Sequence, residues 1–230
     1  MAIDLNRIFA LCFDVDGTLS DTDDLWTRRL ASGLKPLRFL FPQHQVEPFA
    51  RWLVMGLESP GNLLYNLLDR VHLDDEAARL MSAISRRRRL RQPRIFLIIP
   101  GVDLMLRRLS HHFPMAVVSA RDKTTTLAFL DHFDLRRYFS SVVTAQSCTF
   151  TKPFPDPVLK AAADLGVPAS NCLMIGDTTV DLRAGQSAGA QTVGVLCGFG
   201  RRTELERHHP DLILESTAQL ADVLIGPQHK

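Results

Sequence analysis

No apolar run in this chain of 230 residues approaches the roughly 20 residues that a membrane-spanning helix needs, so no membrane span is expected. The N-terminus carries Asp4 and lacks a long apolar stretch, which argues against a signal peptide and makes the cytoplasm the expected location. Cysteine is scarce. Cys12, Cys148, Cys172 and Cys197 show no C-x-x-C spacing and three of them lie in or beside apolar runs, so free buried thiols are expected rather than disulfides or a zinc site. The pairs His111-His112 and His208-His209 lack the helical spacing of metal ligands and read as surface residues. A formal net charge of +2 gives no reason to expect a nucleic-acid partner. There is no internal repeat and no low-complexity tract, and nothing in the sequence decides between a monomer and a homodimer.

What is present begins with Phe13-Asp14-Val15-Asp16-Gly17-Thr18-Leu19-Ser20. Two carboxylates stand two residues apart where the apolar run Ile8-Phe9-Ala10-Leu11-Cys12-Phe13 ends. A run without polar alternation predicts a strand buried on both faces in a parallel sheet, and ligands collect at the C-terminal ends of such strands. Gly17 permits a sharp turn just beyond the carboxylates, and Thr18 adds a hydroxyl and an N–H.

From Asp21 the periodicity becomes helical and stays so to about Pro100. Val46, Phe49, Ala50, Leu53 and Leu57 make one amphipathic stripe, and Leu73, Ala77, Leu80, Met81 and Ile84 make another behind Asp74-Asp75-Glu76. Residues 21–99 are therefore expected to form an inserted helical bundle, with Trp26 and Trp52 in its core. Residues 1–20 and 100–230 form the main domain. The stretch Met55-Gly56-Leu57-Glu58-Ser59-Pro60-Gly61-Asn62 predicts a turn between the helices of the insert. The basic run Arg86-Arg87-Arg88-Arg89 reads as a solvated helix end. With 13 basic against 9 acidic residues in 21–100, the insert is mildly basic and would draw an anion weakly.

Beyond Pro100-Gly101 strands and helices alternate. Strands are expected at Met115-Ala116-Val117-Val118, Ser141-Val142-Val143-Thr144, Leu173-Met174-Ile175, Thr192-Val193-Gly194-Val195-Leu196 and Leu212-Ile213-Leu214. Helices are expected over Val102 to Leu109, near Thr124 to Phe133, and from Asp156 to Leu165, the last with Asp156 as N-cap and Gly166 past its end. The pattern predicts an α/β fold: a Rossmann-like, doubly wound parallel sheet with helices on both faces and an inserted α-helical cap.

Ser119, Lys152 and Asp177 fall at or just after strand ends, with Asp181 four residues beyond Asp177. Singly, each has an ordinary structural explanation. Taken in order with Asp14-Val15-Asp16-Gly17-Thr18 and Gly176-Asp177-Thr178-Thr179-Val180-Asp181, they resemble the motifs of the haloacid dehalogenase superfamily. The resemblance covers nearly the whole chain, running through Ala184-Gly185-Gln186-Ser187-Ala188-Gly189-Ala190 to Gly198-Phe199-Gly200. The insert is similar to the helical cap of the phosphoglycolate phosphatase and β-phosphoglucomutase branch.

That resemblance implies a Mg²⁺-dependent phosphatase acting on a small phosphorylated metabolite. It implies Asp14 as nucleophile and Asp16 as acid and base, and Asp14, Asp177 and the backbone carbonyl of Asp16 as metal ligands. Ser119, the following turn at Ala120, and Lys152 would hold the phosphoryl group, and Asp181 would support the metal site directly or through water or Lys152, with Thr18 a further supporting residue near the carboxylates. A dianionic substrate entering a pocket of carboxylates needs a cation, which agrees. Asp16 favours phosphoryl transfer over dehalogenation, because a departing halide needs no proton. Gly56, Glu58 and Asn62 are candidates for substrate selection. The chain departs from the family pattern at Ala120-Arg121 after Ser119, where many relatives have asparagine or glycine, and Arg121 either touches substrate or covers the helix start. A phosphosugar mutase is the alternative activity, and a binding module without turnover is a third.

Overall fold

The computed structural model describes residues 3–21 and 96–227. The chain divides into two compact units, residues 1–20 with 98–230 and residues 21–97. The expected helical cap, including Gly56, Glu58, Asn62 and the 86–89 arginines, lies outside the described residues.

The first unit carries six strands. They are β1 (Ala10–Phe13), β2 (Met115–Val118), β3 (Ser141–Val143), β4 (Cys172–Gly176), β5 (Gln191–Val195) and β6 (Leu212–Leu214), interleaved with α1 (Val102–Leu109), α2 (Lys123–His132), α3 (Asp156–Leu165), α4 (Thr179–Ser187), α5 (Arg202–Glu206) and α6 (Leu220–Ile225). All neighbouring strands run parallel in the order β3-β2-β1-β4-β5-β6. The chain winds from β1 outward to β3, returns to β4 on the other side of β1, and winds outward again. Right-handed crossovers then place α1 and α2 on one face and α3, α4 and α5 on the other. β1 lies at the point where the winding reverses, the place beyond whose strand ends open α/β sheets bind their ligands.

Side chains alternate across the strands. Ala10, Cys12, Ala116, Val118, Cys172 and Met174 join Val158, Ala161, Ala162 and Ala184 of α3 and α4 in one core cluster. Small residues on both partners let helices and sheet approach closely. Leu11, Phe13, Met115, Val117, Leu173 and Ile175 belong to the opposite face and are equally buried. Burial of each such side chain is worth about 1.5–3 kcal/mol, which anchors the ends of β1, β2 and β4 against one another.

Three local expectations need correction. β1 begins at Ala10 rather than Ile8, and Phe9 is 55% exposed, because residues Leu5–Arg7 form a 3₁₀ turn that leads the chain into β1 from below the sheet's N-terminal ends. α3 has Pro155 at its N-cap and Asp156 in its first turn, so Asp156 acts on the helix dipole rather than as a cap. All four cysteines are free, but only Cys12 and Cys172 are fully buried.

Candidate active site

The backbone turn after β1 sets the first carboxylates. Asp14 N–H donates to Ile175 O at 2.9 Å, extending the β1–β4 ladder by one residue. The N–H groups of Thr18, Leu19 and Ser20 all converge on Val15 O, and Gly17 N–H donates to Ser20 O, with Gly17 at φ +72°. Only glycine takes that conformation without strain. Space demands it as well, since a Cβ at Gly17 would lie 2.1 Å from Asp177 Oδ2.

Asp14, Asp177 and Asp181 come together beyond β1 and β4. One carboxylate oxygen from each lies within 4.8 Å of the others, and all three residues are buried. Lys152 Nζ, also buried, donates to Asp14 Oδ1 at 2.5 Å and to Asp181 Oδ1 at 2.6 Å. The other Asp181 oxygen accepts from Thr178 N–H at 3.1 Å and Thr178 Oγ1 at 2.6 Å, which ties it to the start of α4. Asp177 Oδ2 accepts the Phe199 N–H at 2.8 Å, and Thr18 Oγ1 donates to Asp177 Oδ1 at 3.5 Å.

The electrostatics are unbalanced. Three carboxylates face one ammonium, and each pair of like charges at this spacing costs roughly 3 kcal/mol at an effective dielectric of about 20. Burial pushes Asp14 up to about 7, with Asp181 and Asp16 adding to the rise and Lys152 opposing it. Asp177 is held well above the usual carboxylate range by burial, and then by Asp181 and Asp14. Desolvation pulls Lys152 down, yet the Coulombic pull of Asp14 and Asp181 outweighs it and its pKa is raised. An all-oxygen set with surplus negative charge suits a hard divalent cation. The residues fit such an ion.

Asp16 turns away from this cluster. Both of its carboxylate oxygens accept from Arg121, with Nε at 2.6 Å from Oδ2 and Nη2 on Oδ1. Arg121 N–H in turn donates to Ser119 Oγ at 3.1 Å, and Ser119 N–H donates to Val143 O at 2.9 Å. The turn after β2 is thus tied to the turn after β1. Ser119 is buried, and Ala120 is exposed at the sheet's C-terminal edge. The start of α2 is capped by Asp122, whose carboxylate accepts from Thr125 N–H at 3.0 Å.

The described candidates therefore gather at one edge of the sheet. Asp14, Lys152, Asp177 and Asp181 form a bonded cluster, Thr18 reaches its margin, and Asp16, Arg121, Ser119 and Ala120 form a second group beside it. Sequence reasoning assigned no task to the segment Gly198-Phe199-Gly200. Its Phe199 N–H holds Asp177, and a Cβ at Gly198 would lie 2.2 Å from Asp177 Oδ2. Two glycines flanking an aromatic after a strand were the available signal.

The family model described as "Haloacid dehalogenase-like hydrolase" matches residues 11–195. A pyrophosphatase PpaX from Oceanobacillus iheyensis is 26% identical, over 94% of this chain and 97% of that one. A phosphoglycolate phosphatase from Aquifex aeolicus is 28% identical, over 93% of this chain and 95% of that one. A haloacid dehalogenase-like family hydrolase from Streptococcus pneumoniae has a similar solved fold, with a TM-score of 0.63 at 18% identity over 95% of this chain and 99% of that one. Among the described residues, no helix is long and apolar enough to cross a membrane.

Proposed function

The chain belongs to the haloacid dehalogenase-like hydrolases, and from that premise we propose that it is a Mg²⁺-dependent phosphatase of a small phosphorylated metabolite, working in the cytoplasm through an aspartyl-phosphate on Asp14. One observation carries the reading. A buried carboxylate at the end of the central strand is gripped by a buried lysine and set among further carboxylates that need a cation. The names of the relatives, which include a phosphoglycolate phosphatase and a pyrophosphatase, support the same class of chemistry.

In this reading a carboxylate oxygen of Asp14 forms the new bond to phosphorus while the bond from phosphorus to the leaving oxygen breaks, its electron pair going to that oxygen. Asp16 gives the leaving oxygen a proton. Asp16 then takes a proton from water as the water attacks phosphorus, and the Asp14–phosphorus bond breaks to restore the carboxylate. Lys152 fixes the orientation of Asp14 and balances charge as the phosphoryl group passes. Ser119 and the turn at Ala120 bind phosphoryl oxygens. Asp14, Asp177 and the Asp16 carbonyl would hold Mg²⁺, with Asp181 beside them. The ion would supply charge neutralisation for the dianionic group. Residues 21–99 serve as a cap, and the segment 56–62, with Gly56, Glu58 and Asn62, takes part in selecting the leaving group.

The test is phosphate release by purified protein across a panel of phosphorylated metabolites, with and without Mg²⁺. Release that needs Mg²⁺ and disappears in Asp14→Asn supports the reading. Transfer of the phosphoryl group to a second hydroxyl of a sugar, with no free phosphate, would make the protein a mutase instead. Turnover undiminished in excess chelator would remove the metal from the scheme.

A further inference from the structure

The guanidinium of Arg121 is an anion site already filled by the protein's own Asp16. Its Nε and Nη2 meet the two oxygens of one carboxylate, the planar fork-to-fork match that guanidinium makes with carboxylate or phosphate. The pair is partly shielded, with the Arg121 side chain 14% and the Asp16 side chain 33% exposed. The Arg121 guanidinium carbon also lies 5.9 Å from the centre of the Phe129 ring. Two residues before it, Ser119 accepts the Arg121 N–H, so the fork and the proposed phosphoryl site share one turn.

This arrangement places two demands on one side chain. If Asp16 is to reach the leaving oxygen, it must present a carboxyl oxygen there, and both of its oxygens are engaged by Arg121. A second anion of the same shape resolves the competition, because the guanidinium can exchange one bidentate partner for another with little net loss of hydrogen bonding. In the reading above the transferred phosphoryl group is already held by Ser119, the turn at Ala120 and Lys152, and Asp16 acts on the leaving oxygen, so the leaving group is the remaining source of such an anion.

We propose that Arg121 recognises an anionic group on the leaving portion of the substrate, so that the preferred substrates are phosphoryl compounds whose leaving group is itself a carboxylate or a phosphate. The proposal rests on the phosphatase reading above and narrows it. Phosphoglycolate and pyrophosphate, the substrates named for two relatives, share this feature. A neutral phosphomonoester lacks it.

The experiment uses the full chain with Mg²⁺ and compares kcat/KM for phosphoglycolate with that for 2-hydroxyethyl phosphate, in which a hydroxymethyl group replaces the carboxylate. Pyrophosphate against methyl phosphate forms the second arm. The wild type is expected to prefer the anionic member of at least one pair by about tenfold to hundredfold, the range of a charged hydrogen-bonded contact. Arg121→Gln should remove at least about tenfold of that preference, mainly through KM, and Arg121→Lys, which keeps charge but loses the fork, should fall between. A response in the first arm identifies a carboxylate and in the second a phosphate; either supports the proposal. Should the variants fold poorly, product inhibition of the wild type supplies the second measurement: glycolate should inhibit and ethylene glycol should not. Equal loss on both members of each pair, or no preference in the wild type, overturns the proposal while leaving phosphatase activity in place. Absence of Asp14-dependent phosphate release from every compound overturns the phosphatase reading itself, and this proposal with it.

Discussion

Lys152 Nζ stands 2.5 Å from Asp14 Oδ1, a contact that joins the loop before α3 to the end of β1 across 138 residues of sequence. The same ammonium holds Asp181, so one lysine compensates two buried carboxylates. Replacing it with methionine leaves both without their cation. Removal of one partner from a buried ion pair typically costs about 3–5 kcal/mol. Lys152→Met should therefore lower thermal stability strongly in chelator, and excess Mg²⁺ should restore part of the loss. An unchanged melting temperature in chelator would count against a structural role for the pair.

Asp14→Asn keeps the shape of the side chain and removes the carboxylate proposed to attack phosphorus. Turnover should fall by more than about a thousandfold, and no phosphoenzyme should form. Rapid quenching with labelled substrate, followed by mass spectrometry of the peptide containing residue 14, reads this directly. A phosphorylated peptide from the variant, after deamidation is excluded, would falsify the assignment of the nucleophile.

Asp16→Asn should depress hydrolysis of alkyl phosphates much more than hydrolysis of an activated aryl phosphate, whose leaving group departs without help. The measurement is the dependence of kcat/KM on leaving-group pKa. A parallel loss across the whole series would rule out the acid role.

Metal-free protein should lose stability as pH rises. The folded-state pKa of Asp14 is raised by burial to about 7 from 3.8, and that of Asp177 is raised as well. A carboxyl whose folded pKa is raised binds its proton more tightly when folded. Its contribution is complete below pH 3.8 and is lost as pH climbs through about 7. In chelator, the melting temperature should fall between about pH 5 and about pH 8, and the stabilisation by Mg²⁺ should be larger at the upper end, where the carboxylates are ready to bind it. Melting curves that coincide across this range in chelator would contradict the account.

Gly198→Ala should disturb Asp177, since the added Cβ would lie 2.2 Å from Asp177 Oδ2 and 2.5 Å from Gly17 O. Neither neighbour is the free end of a flexible chain, so the carboxylate must shift. The Mg²⁺ concentration for half-maximal activity should rise by about tenfold or more, about 1.4 kcal/mol of binding. An unaltered metal requirement would show that the loop tolerates the methyl group.

Much of this protein is determined by its sequence alone. Apolar runs ending in Asp14, Ser119 and Asp177, separated by helical segments, are enough for a parallel α/β sheet, because strands buried on both faces tolerate no polar alternation. A parallel sheet aligns the C-terminal ends of its strands, so these residues were bound to share an edge. The local conformations near the ends of the first strand and the third helix were less legible, since a one-residue shift of Phe9 or Asp156 changes nothing in the apolar pattern. Which charges pair was not legible at all. Arg121 and Asp16 lie 105 residues apart, and Phe199 and Asp177 lie 22 apart; in neither case does spacing name the partner. Those contacts exist because β2 and β4 flank β1 and β5 lies beside β4, all in parallel register, which brings four turns within reach of side chains only a few ångströms long. Hydrophobic periodicity decides which elements form and which way they face, whereas pairing of polar groups depends on where several loops meet, and only the tertiary structure decided that.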